Sequence, residues 1–278
     1  MSIITFYTNC KEQTGNTTAA MSLATYLGIV QNKRTLFLST ALNDNTIKNA
    51  FWPQVKKKSG LFGPNTSMMS ENGIEGLDRI IRSNRISSDI ITDYTKVALK
   101  DRLEFLLGYK GAKQEYEEIQ KQYVQITNMS SKCYDTVIVD IDRQLDTQTK
   151  IDLLQISDVV VAMSTQKLDN INEISRIMEE GNILRKNNTL ITLGRYDDKS
   201  KYNVKNISRN VLRQKAMINC IPYNTLLFET SQEGQVIDMF LKFLNLKGKD
   251  ENTFFMEEIQ RLKESIENKV TEMQQMMR

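Results

Sequence analysis

The first 28 residues constrain the fold of this chain more than any other stretch. Residues 3–7 (IITFY) are β-branched and aromatic, which favours a buried strand. A polar loop follows at 8–18, and apolar residues at 20, 23, 24 and 27 then recur at helical spacing before Gly28. Strand, loop and helix in this order are the layout of a phosphate-binding loop, in which backbone N–H groups and the helix N-terminus face an anion.

Strands and helices are expected to alternate along the rest of the chain. Apolar runs predict strands at 34–38, 102–107, 134–140, 158–162 and 189–193. Periodic patterns predict helices at 76–81, 92–99, 116–129, 147–154, 170–187 and 236–244, and polar surface loops fill 53–73. This alternation predicts an α/β fold, a mostly parallel twisted sheet flanked by helices. We expect one domain over 1–248 and a separate amphipathic helix over 249–278.

Three motifs resemble the ParA/MinD superfamily of P-loop ATPases, over roughly residues 1–245. Residues 11–18 (KEQTGNTT) resemble the deviant loop K-G-G-x-G-K-T-T, residues 134–140 (YDTVIVD) a Walker B strand, and residues 221–223 (IPY) a turn after the last strand. The resemblance implies a P-loop NTPase fold with ATP and Mg²⁺. The residues that the resemblance assigns to nucleotide binding are Lys11, Gly15, Asn16, Thr17, Thr18 and Pro222. Those that it assigns to the metal are Thr17 and Asp140.

The chain also departs from the family pattern. Glu12 and Gln13 replace the two loop glycines, which adopt positive φ at lower cost, and Glu12 adds a carboxylate beside the expected phosphates. Asn16 replaces the phosphate-binding lysine, and losing one such contact weakens binding about ten- to a hundred-fold. Ser39 and Ala41 replace both aspartates of the family's D-x-D. The resemblance therefore implies weak or absent binding of ATP and Mg²⁺, and slow or absent hydrolysis.

Each matched residue also has a purely structural interpretation. Thr17 and Thr18 could cap the first helix, a role that needs no ligand. Asp140 could cap a helix or accept hydrogen bonds in a loop, and Lys11 could be a solvated loop lysine. Asp44 could replace the missing aspartates if the second strand were longer.

Composition narrows the compartment and the chemistry. Apolar residues make up 40% and charged residues 26% of the chain, and no run of 18 apolar residues occurs. We therefore expect a cytoplasmic protein without its own membrane span. The polar face of the C-terminal stretch carries more glutamates than lysines and arginines, so direct membrane binding is not expected either. The chain has no histidine and three dispersed cysteines, which excludes histidine-based catalysis and the usual zinc motifs. The net charge of +3 does not identify a nucleic-acid-binding protein.

Two further segments suggest partners. Between residues 199 and 215 every charged residue is basic: Lys199, Lys201, Lys205, Arg209, Arg213 and Lys215. This stretch either contacts DNA phosphates without reading sequence, as the resemblance implies, or forms a solvated helix face. The C-terminal stretch carries an apolar stripe at Phe255, Ile259, Leu262, Ile266, Val270, Met273 and Met277. Its spacing fits a partner or self-association helix, or a helix packed on its own domain.

Three functional hypotheses remain open from the sequence. The first is a degenerate ParA/MinD-like positioning or scaffold protein, similar to the TadZ/CpaE branch, that dimerises and localises a pilus, secretion or conjugation machine or DNA. The second is an active DNA-partitioning ATPase. The third is an interaction module that needs no nucleotide.

Overall fold

The computed structural model describes residues 1–53, 73–82, 88–210 and 218–276. Most of the loop predicted at 53–73 lies outside the described residues. So do Arg213, Lys215 and Met277.

Within the described residues, eight strands form one sheet in the order β3-β4-β2-β5-β1-β6-β7-β8. The strands are β1 (Ser2–Tyr7), β2 (Thr35–Ser39), β3 (Lys96–Leu99), β4 (Leu103–Leu106), β5 (Thr136–Asp140), β6 (Val159–Ser164), β7 (Thr189–Tyr196) and β8 (Ile218–Pro222). Neighbouring strands pair in parallel except β3 with β4, which are antiparallel. The prediction of a mostly parallel sheet is confirmed.

The register of the sheet places the first loop beside the end of β5. Phe6 of β1 pairs with Asp140 of β5, and Ser39 of β2 pairs with the same aspartate from the other side. Strand β1 lies between β5 and β6, so the loop after β1 opens at the carboxyl edge of the central strands. Ligands of open α/β sheets bind at this edge.

Helices cover both faces of this sheet. They are α1 (Asn16–Val30), α2 (Thr46–Phe51), α3 (Ile74–Arg82), α4 (Lys113–Ile119), α5 (Tyr123–Cys133), α6 (Thr147–Gln155), α7 (Leu168–Glu180), α8 (Val204–Asn210), α9 (Thr225–Glu233), α10 (Val236–Phe243) and α11 (Glu251–Met276). Successive strand residues alternate between two cores: Val137 and Val139 face the core that contains α5 and α7, whereas Ile138 faces the core that contains α1 and α11. Both faces of the strands are therefore buried, as their continuous apolar sequences require.

One predicted helix is a strand, and two others have different bounds. A helix at 92–99 is wrong: a 3₁₀ helix ends at Asp93, and Lys96–Leu99 pairs with β4 across a tight turn in which Asp101 has a φ of 60°. Pairing with a neighbouring strand overrides the local helical pattern. The helix predicted at 116–129 is interrupted by a 3₁₀ segment around the buried Gln120, and the helix predicted to reach residue 187 ends at Glu180.

The C-terminal helix packs on its own chain. Phe255, Ile259, Leu262 and Ile266 of α11 are buried in the core that contains α1, α10 and the sheet. The prediction that the apolar stripe serves a partner is therefore wrong up to Ile266, because a core-facing helix has the same three-and-four spacing as a coiled-coil helix. The predicted domain boundary at residue 249 stays a prediction. No described helix is long and apolar enough to cross a membrane.

Candidate functional site

The loop between β1 and α1 exposes the N-terminus of a 15-residue helix. Gly15 is the N-cap residue, with a φ of 76° that glycine adopts without strain, and no side chain caps the helix. The first turn of α1 contains no acidic residue. Its free backbone N–H groups and helix dipole therefore suit an anion. The interpretation of Thr17 or Thr18 as a helix cap is wrong.

A cleft of about 600 Å³ opens at this loop. One wall consists of loop residues 12–18 and the end of β5, and the opposite wall comes from the ends of β7 and β8. Gly15, Asn16, Thr17, Thr18 and Pro222 all line it, so the structure brings these predicted nucleotide-binding residues together. This volume lies within the range of small-ligand sites.

Lys11 lies to one side of this cleft. Its side chain is exposed, and it lines a neighbouring cavity with Arg143 rather than the cleft itself. The Arg143 guanidinium donates a hydrogen bond of 2.5 Å to the Lys11 carbonyl oxygen and so holds the start of the loop. The predicted contact of Lys11 with a nucleotide stays a prediction.

The buried Asp140 forms a polar cluster with two partly buried residues in the first turn of α1. The Asn16 amide donates to Asp140 Oδ1 at 2.8 Å, and the Thr17 hydroxyl also hydrogen-bonds to this carboxylate. Burial raises the pKa of Asp140 to about 7, and these two hydrogen bonds only partly oppose the rise. Asp140 is thus an acceptor of side-chain hydrogen bonds rather than a helix cap. The side-chain amide of Asn16 donates to Asp140. The predicted contact of Asn16 with phosphate stays a prediction, and the backbone N–H is the group that would make it.

Other carboxylates surround Asp140. Asp44 and Asp142 line the cleft, and both raise the pKa of Asp140. Asp44 lies on the loop after β2, which ends at Ser39, one residue beyond the predicted end. Its carboxylate accepts hydrogen bonds from the Thr46 N–H and hydroxyl. Among the described residues, no three acidic, cysteine or histidine side chains are grouped closely enough to hold a metal ion. A cation here would need further oxygen ligands from a nucleotide or water.

Glu12 is paired rather than directed at the loop centre. Its carboxylate accepts from Lys167 Nζ at 2.8 Å and from Asn170 Nδ2 at 3.1 Å, both at the start of α7. The hydrogen bond from Lys167 is the main cause that lowers the pKa of Glu12 to about 2. The expected repulsion of phosphates by Glu12 is therefore countered by a neighbouring cation.

Arg195 lines the cleft and was not identified from the sequence. The predicted strand ended at Leu193, but β7 continues to Tyr196 with a register shift between Gly194 and Tyr196. A Cβ on Gly194 would lie 1.8 Å from the Thr14 carbonyl oxygen, so only glycine lets the loop approach β7 this closely. A glycine directly after an apolar strand is the signal that could have indicated this contact.

The end of the cleft away from the Asp140 cluster is more apolar. Pro222, Tyr223, Leu227 and Phe228 line it, and Tyr223 and Phe228 are about half exposed. Flat apolar and aromatic surface of this kind suits a planar ring.

The predicted basic surface is separate from the cleft lining. Lys199, Lys201, Lys205 and Arg209 are exposed, and α8 carries the last two. Ile207 of the same helix is buried. None of these four cations lines the cleft.

Comparisons with known proteins identify the fold. No protein-family model matches the chain, and no curated protein sequence matches it. A ParA family ATPase from Chlorobium tepidum TLS is similar in structure, with a TM-score of 0.68 and 14% identity over 93% of this chain and 96% of that one.

Two ligand-bound structures are also similar. MinD from Pyrococcus horikoshii OT3, complexed with Mg-ADP, has a TM-score of 0.62 and 12% identity over 93% of each chain. A putative plasmid partition protein from Borrelia burgdorferi B31, bound to AMPPNP, has a TM-score of 0.59 and 16% identity over 94% of this chain and 96% of that one. The chain therefore has the fold of the ParA/MinD P-loop ATPases, as the resemblance of its motifs predicted.

Proposed function

We propose that this chain is a nucleotide-binding positioning or scaffold protein that hydrolyses ATP slowly or not at all. The observation that carries the proposal is the cluster at the first turn of α1. The helix N-terminus is uncapped and Thr17 meets Asp140, but the residue in the lysine position, Asn16, is hydrogen-bonded to Asp140. Gly15, Thr17 and Asp140, which the resemblance assigns to phosphate and Mg²⁺, are present, whereas Ser39 and Ala41 replace the aspartates that it assigns to positioning water.

The cleft fits a nucleoside triphosphate at both ends. Thr14 Oγ1, whose hydroxyl can donate to a phosphate oxygen, and Asn16 Oδ1, which only accepts, are buried at the loop and have no hydrogen-bond partner within the described residues. Such atoms are rare unless a ligand or water satisfies them. Pro222 and Tyr223 supply a flat surface for the base. The Mg-ADP and AMPPNP complexes of the two similar proteins support this assignment.

The chemistry of Thr17 and Asp140 fits Mg²⁺. A hydroxyl and a carboxylate are hard oxygen ligands, and Mg²⁺ is commonly held by one or two protein groups together with phosphate oxygens. The metal would neutralise phosphate charge. Because burial raises the pKa of Asp140 to about 7, metal binding competes with a proton at neutral pH.

Slow hydrolysis follows from the residues after β2. Ser39 and Ala41 are buried, and neither carries a carboxylate that could orient an attacking water. Asp44 Oδ1 already accepts hydrogen bonds from the backbone N–H and the hydroxyl of Thr46. We therefore expect the protein to bind ATP but to hydrolyse it slowly or not at all. Such a protein stays in its nucleotide-bound form while it contacts its partners.

The biological role rests on the same reasoning. We infer a homodimer in the cytoplasm that localises a pilus, secretion or conjugation machine or DNA, similar to the TadZ/CpaE branch. If the cargo is DNA, its phosphates would contact an exposed basic surface formed by Lys199, Lys201, Lys205 and Arg209.

Calorimetry and a phosphate-release assay test the proposal. ATP with Mg²⁺ should bind the wild-type protein, and Thr17→Ala or Asp140→Ala should remove the Mg²⁺ dependence of binding. Asp238→Asn, an exposed carboxylate on α10, is the matched control and should bind as the wild type does. Turnover within the ordinary enzyme range of about 1–10³ s⁻¹, abolished by Asp140→Ala, would contradict the proposal.

A second candidate function is an active DNA-partitioning ATPase, and the position of Asp44 favours it. From the sequence, Asp44 could replace the missing aspartates only if the second strand were longer. In the structure β2 ends at Ser39, and Asp44 nevertheless lines the cleft. DNA-stimulated phosphate release that is lost in both Asp44→Asn and Lys205→Glu would establish this function. No ATP binding at all would instead leave the nucleotide-independent interaction module.

A further inference from the structure

The cleft contains a cation that can replace the lysine missing at position 16. This inference rests on the proposed nucleotide binding and assigns one residue within it. The loop itself contributes no cation to the cleft lining: Asn16 is neutral, and Lys11 lies in the neighbouring cavity. Arg143 and Arg195 are the arginines that line the cleft, and they come from the ends of β5 and β7.

The backbone directs Arg195 towards the loop. Arg195 lies at the register shift between β7 and β8 and has a φ of 51°, which non-glycine residues rarely adopt. Bulges often redirect a side chain beside a functional site, and backbone strain is often kept where it serves one. Arg195 Cγ lies only 3.9 Å from the position that a Cβ on Gly15 would occupy. The stem of Arg195 therefore runs beside the glycine at the start of α1.

The guanidinium of Arg195 has unused hydrogen-bonding capacity. It offers five N–H donors, yet its hydrogen bond is a long one, 3.4 Å from Nη1 to Gln13 Oε1. Its Cζ lies 5.7 Å from the centre of the Tyr223 ring. No described carboxylate forms an ion pair with it. An exposed arginine without an anionic partner, beside an uncapped helix N-terminus, is ready for a bidentate contact with phosphate.

Arg143 is different in kind. Its guanidinium already donates to the Lys11 carbonyl oxygen at 2.5 Å, so it fixes the start of the loop. We propose that Arg195 binds the phosphate groups of the nucleotide and supplies the positive charge that position 16 lacks. Arg143 is a positioning residue for the loop.

The main alternative is that Arg195 contacts the base end through Tyr223. The number of phosphates on the ligand separates the two roles. An arginine that binds phosphate contributes more to ATP than to ADP and least to AMP, whereas an arginine at the base contributes equally to all three. Calorimetric titration of ATP, ADP and AMP with Mg²⁺ therefore tests the assignment.

Three variants of Arg195 make the test specific. Arg195→Gly removes the side chain but suits the φ of 51°, so its thermal melt should match or exceed that of the wild type. Arg195→Gln keeps the size and loses the charge, and Arg195→Lys keeps the charge and loses the planar fork. Arg176→Gln is the matched control, because that arginine pairs with Glu173 and Glu180 on α7, away from the cleft lining.

Arg195→Gly and Arg195→Gln should weaken ATP binding about ten- to a hundred-fold, with a smaller loss for ADP and the smallest for AMP. Arg195→Lys should recover part of the loss, and Arg176→Gln should bind as the wild type does. If Arg195→Gly unfolds at a lower temperature than the wild type, the ATP affinities of Arg195→Gln and Arg195→Lys test the assignment instead.

Two outcomes overturn the assignment while the proposed function stands. The first is wild-type ATP affinity in all Arg195 variants, and the second is an equal loss for ATP, ADP and AMP. A wild-type protein that binds no ATP would overturn the proposed function, and this assignment with it.

Discussion

The two walls of the cleft are built in opposite ways. The β5 wall is defined by Asn16 and Thr17, which line the cleft and are partly buried, and by the buried Asp140, to which both side chains hydrogen-bond. The β7 wall, defined by Gly194, Arg195 and Tyr223, places an exposed cation over an exposed ring, and Arg195 is free of carboxylate partners among the described residues. In the family pattern the charge for phosphate belongs to the loop beside β5. Here a neutral amide bonded to Asp140 stands at that position, and the arginine without a described carboxylate partner lies on the β7 wall.

The difference shows how a binding site can change without losing its shape. Asn16 cannot pair with phosphate as lysine does, but it satisfies the buried Asp140, which would otherwise carry a larger desolvation penalty. The β5 wall therefore supplies hydrogen bonds to the buried carboxylate, and the β7 wall supplies positive charge.

The largest effect should come from the proton on Asp140. Burial raises the pKa of Asp140 from 3.8 to about 7, so the native state binds a proton that the unfolded state releases between these values. The free energy of unfolding contributed by this group should therefore fall as pH rises from about 4 to about 7, by at most about 4 kcal/mol.

Urea unfolding of the wild type and Asp140→Asn across pH 4–8, with a chelator present, measures this effect. Glu258 also has a raised pKa, but its contribution is common to both proteins and cancels in their difference. The wild type should lose stability relative to Asp140→Asn as pH rises. A difference that is constant with pH would mean that Asp140 ionises normally and that the β5 wall is open to water.

A smaller loss of stability should follow from Gly194→Ala on the β7 wall. Its added Cβ would lie 1.8 Å from the Thr14 carbonyl oxygen, so the loop must move away from β7. We expect a loss of about 2–3 kcal/mol in the free energy of unfolding, typical of overpacking, and weaker ATP binding. Gly181→Ala is the matched control: it has nothing within 4 Å and should lose only about 1 kcal/mol through its φ of 68°. Equal losses in the two variants would show that the loop does not rest on β7.

The strand and the terminal carboxylate of the β5 wall were predicted from the sequence, whereas Arg195 on the β7 wall was not. The reason for this difference is physical. Buried parallel strands are continuous apolar runs, and Asp140 follows such a run, so the strand and its terminal carboxylate were both recognisable. The bond from Asn16 to Asp140 joins residues 124 positions apart, and only the sheet register brings them together. Arg195 follows a glycine after the predicted strand end, and its direction depends on a bulge that leaves no periodic pattern.

The same limit explains the errors elsewhere in the fold. Local patterns at 92–99 and at the C-terminus described which residues are apolar but not what they contact. Lys96–Leu99 became a strand because β4 lies beside it, and the stripe through Phe255 and Ile266 is buried because α1 and the sheet lie beneath it. The partners of an element, unlike its periodicity, are set by the rest of the chain.

A loop repair should sharpen the comparison between the walls. Asn16→Lys adds a cation at the β5 wall, and we expect ATP affinity to rise about ten-fold through a charge-assisted phosphate contact. In the double variant Asn16→Lys with Arg195→Gln, the affinity should return close to that of the wild type. Calorimetry on the four proteins gives a double-mutant cycle. No gain from Asn16→Lys would mean that the new cation pairs only with Asp140 and that the β5 wall does not reach the phosphates.

The smallest effect should come from Glu12, the carboxylate that the sequence places beside the phosphates. In the structure it is exposed and paired with Lys167 Nζ at 2.8 Å, and pairs of this kind are weak and screened by salt. Glu12→Gln should therefore leave the free energy of unfolding unchanged and alter the ATP dissociation constant by less than about threefold. Lys167→Ala should weaken ATP binding slightly in the wild type, because it leaves the Glu12 carboxylate unpaired, and should have no effect in the Glu12→Gln background. A ten-fold gain from Glu12→Gln would place this carboxylate against the phosphates. The loop, rather than the contrast between the two walls, would then limit binding.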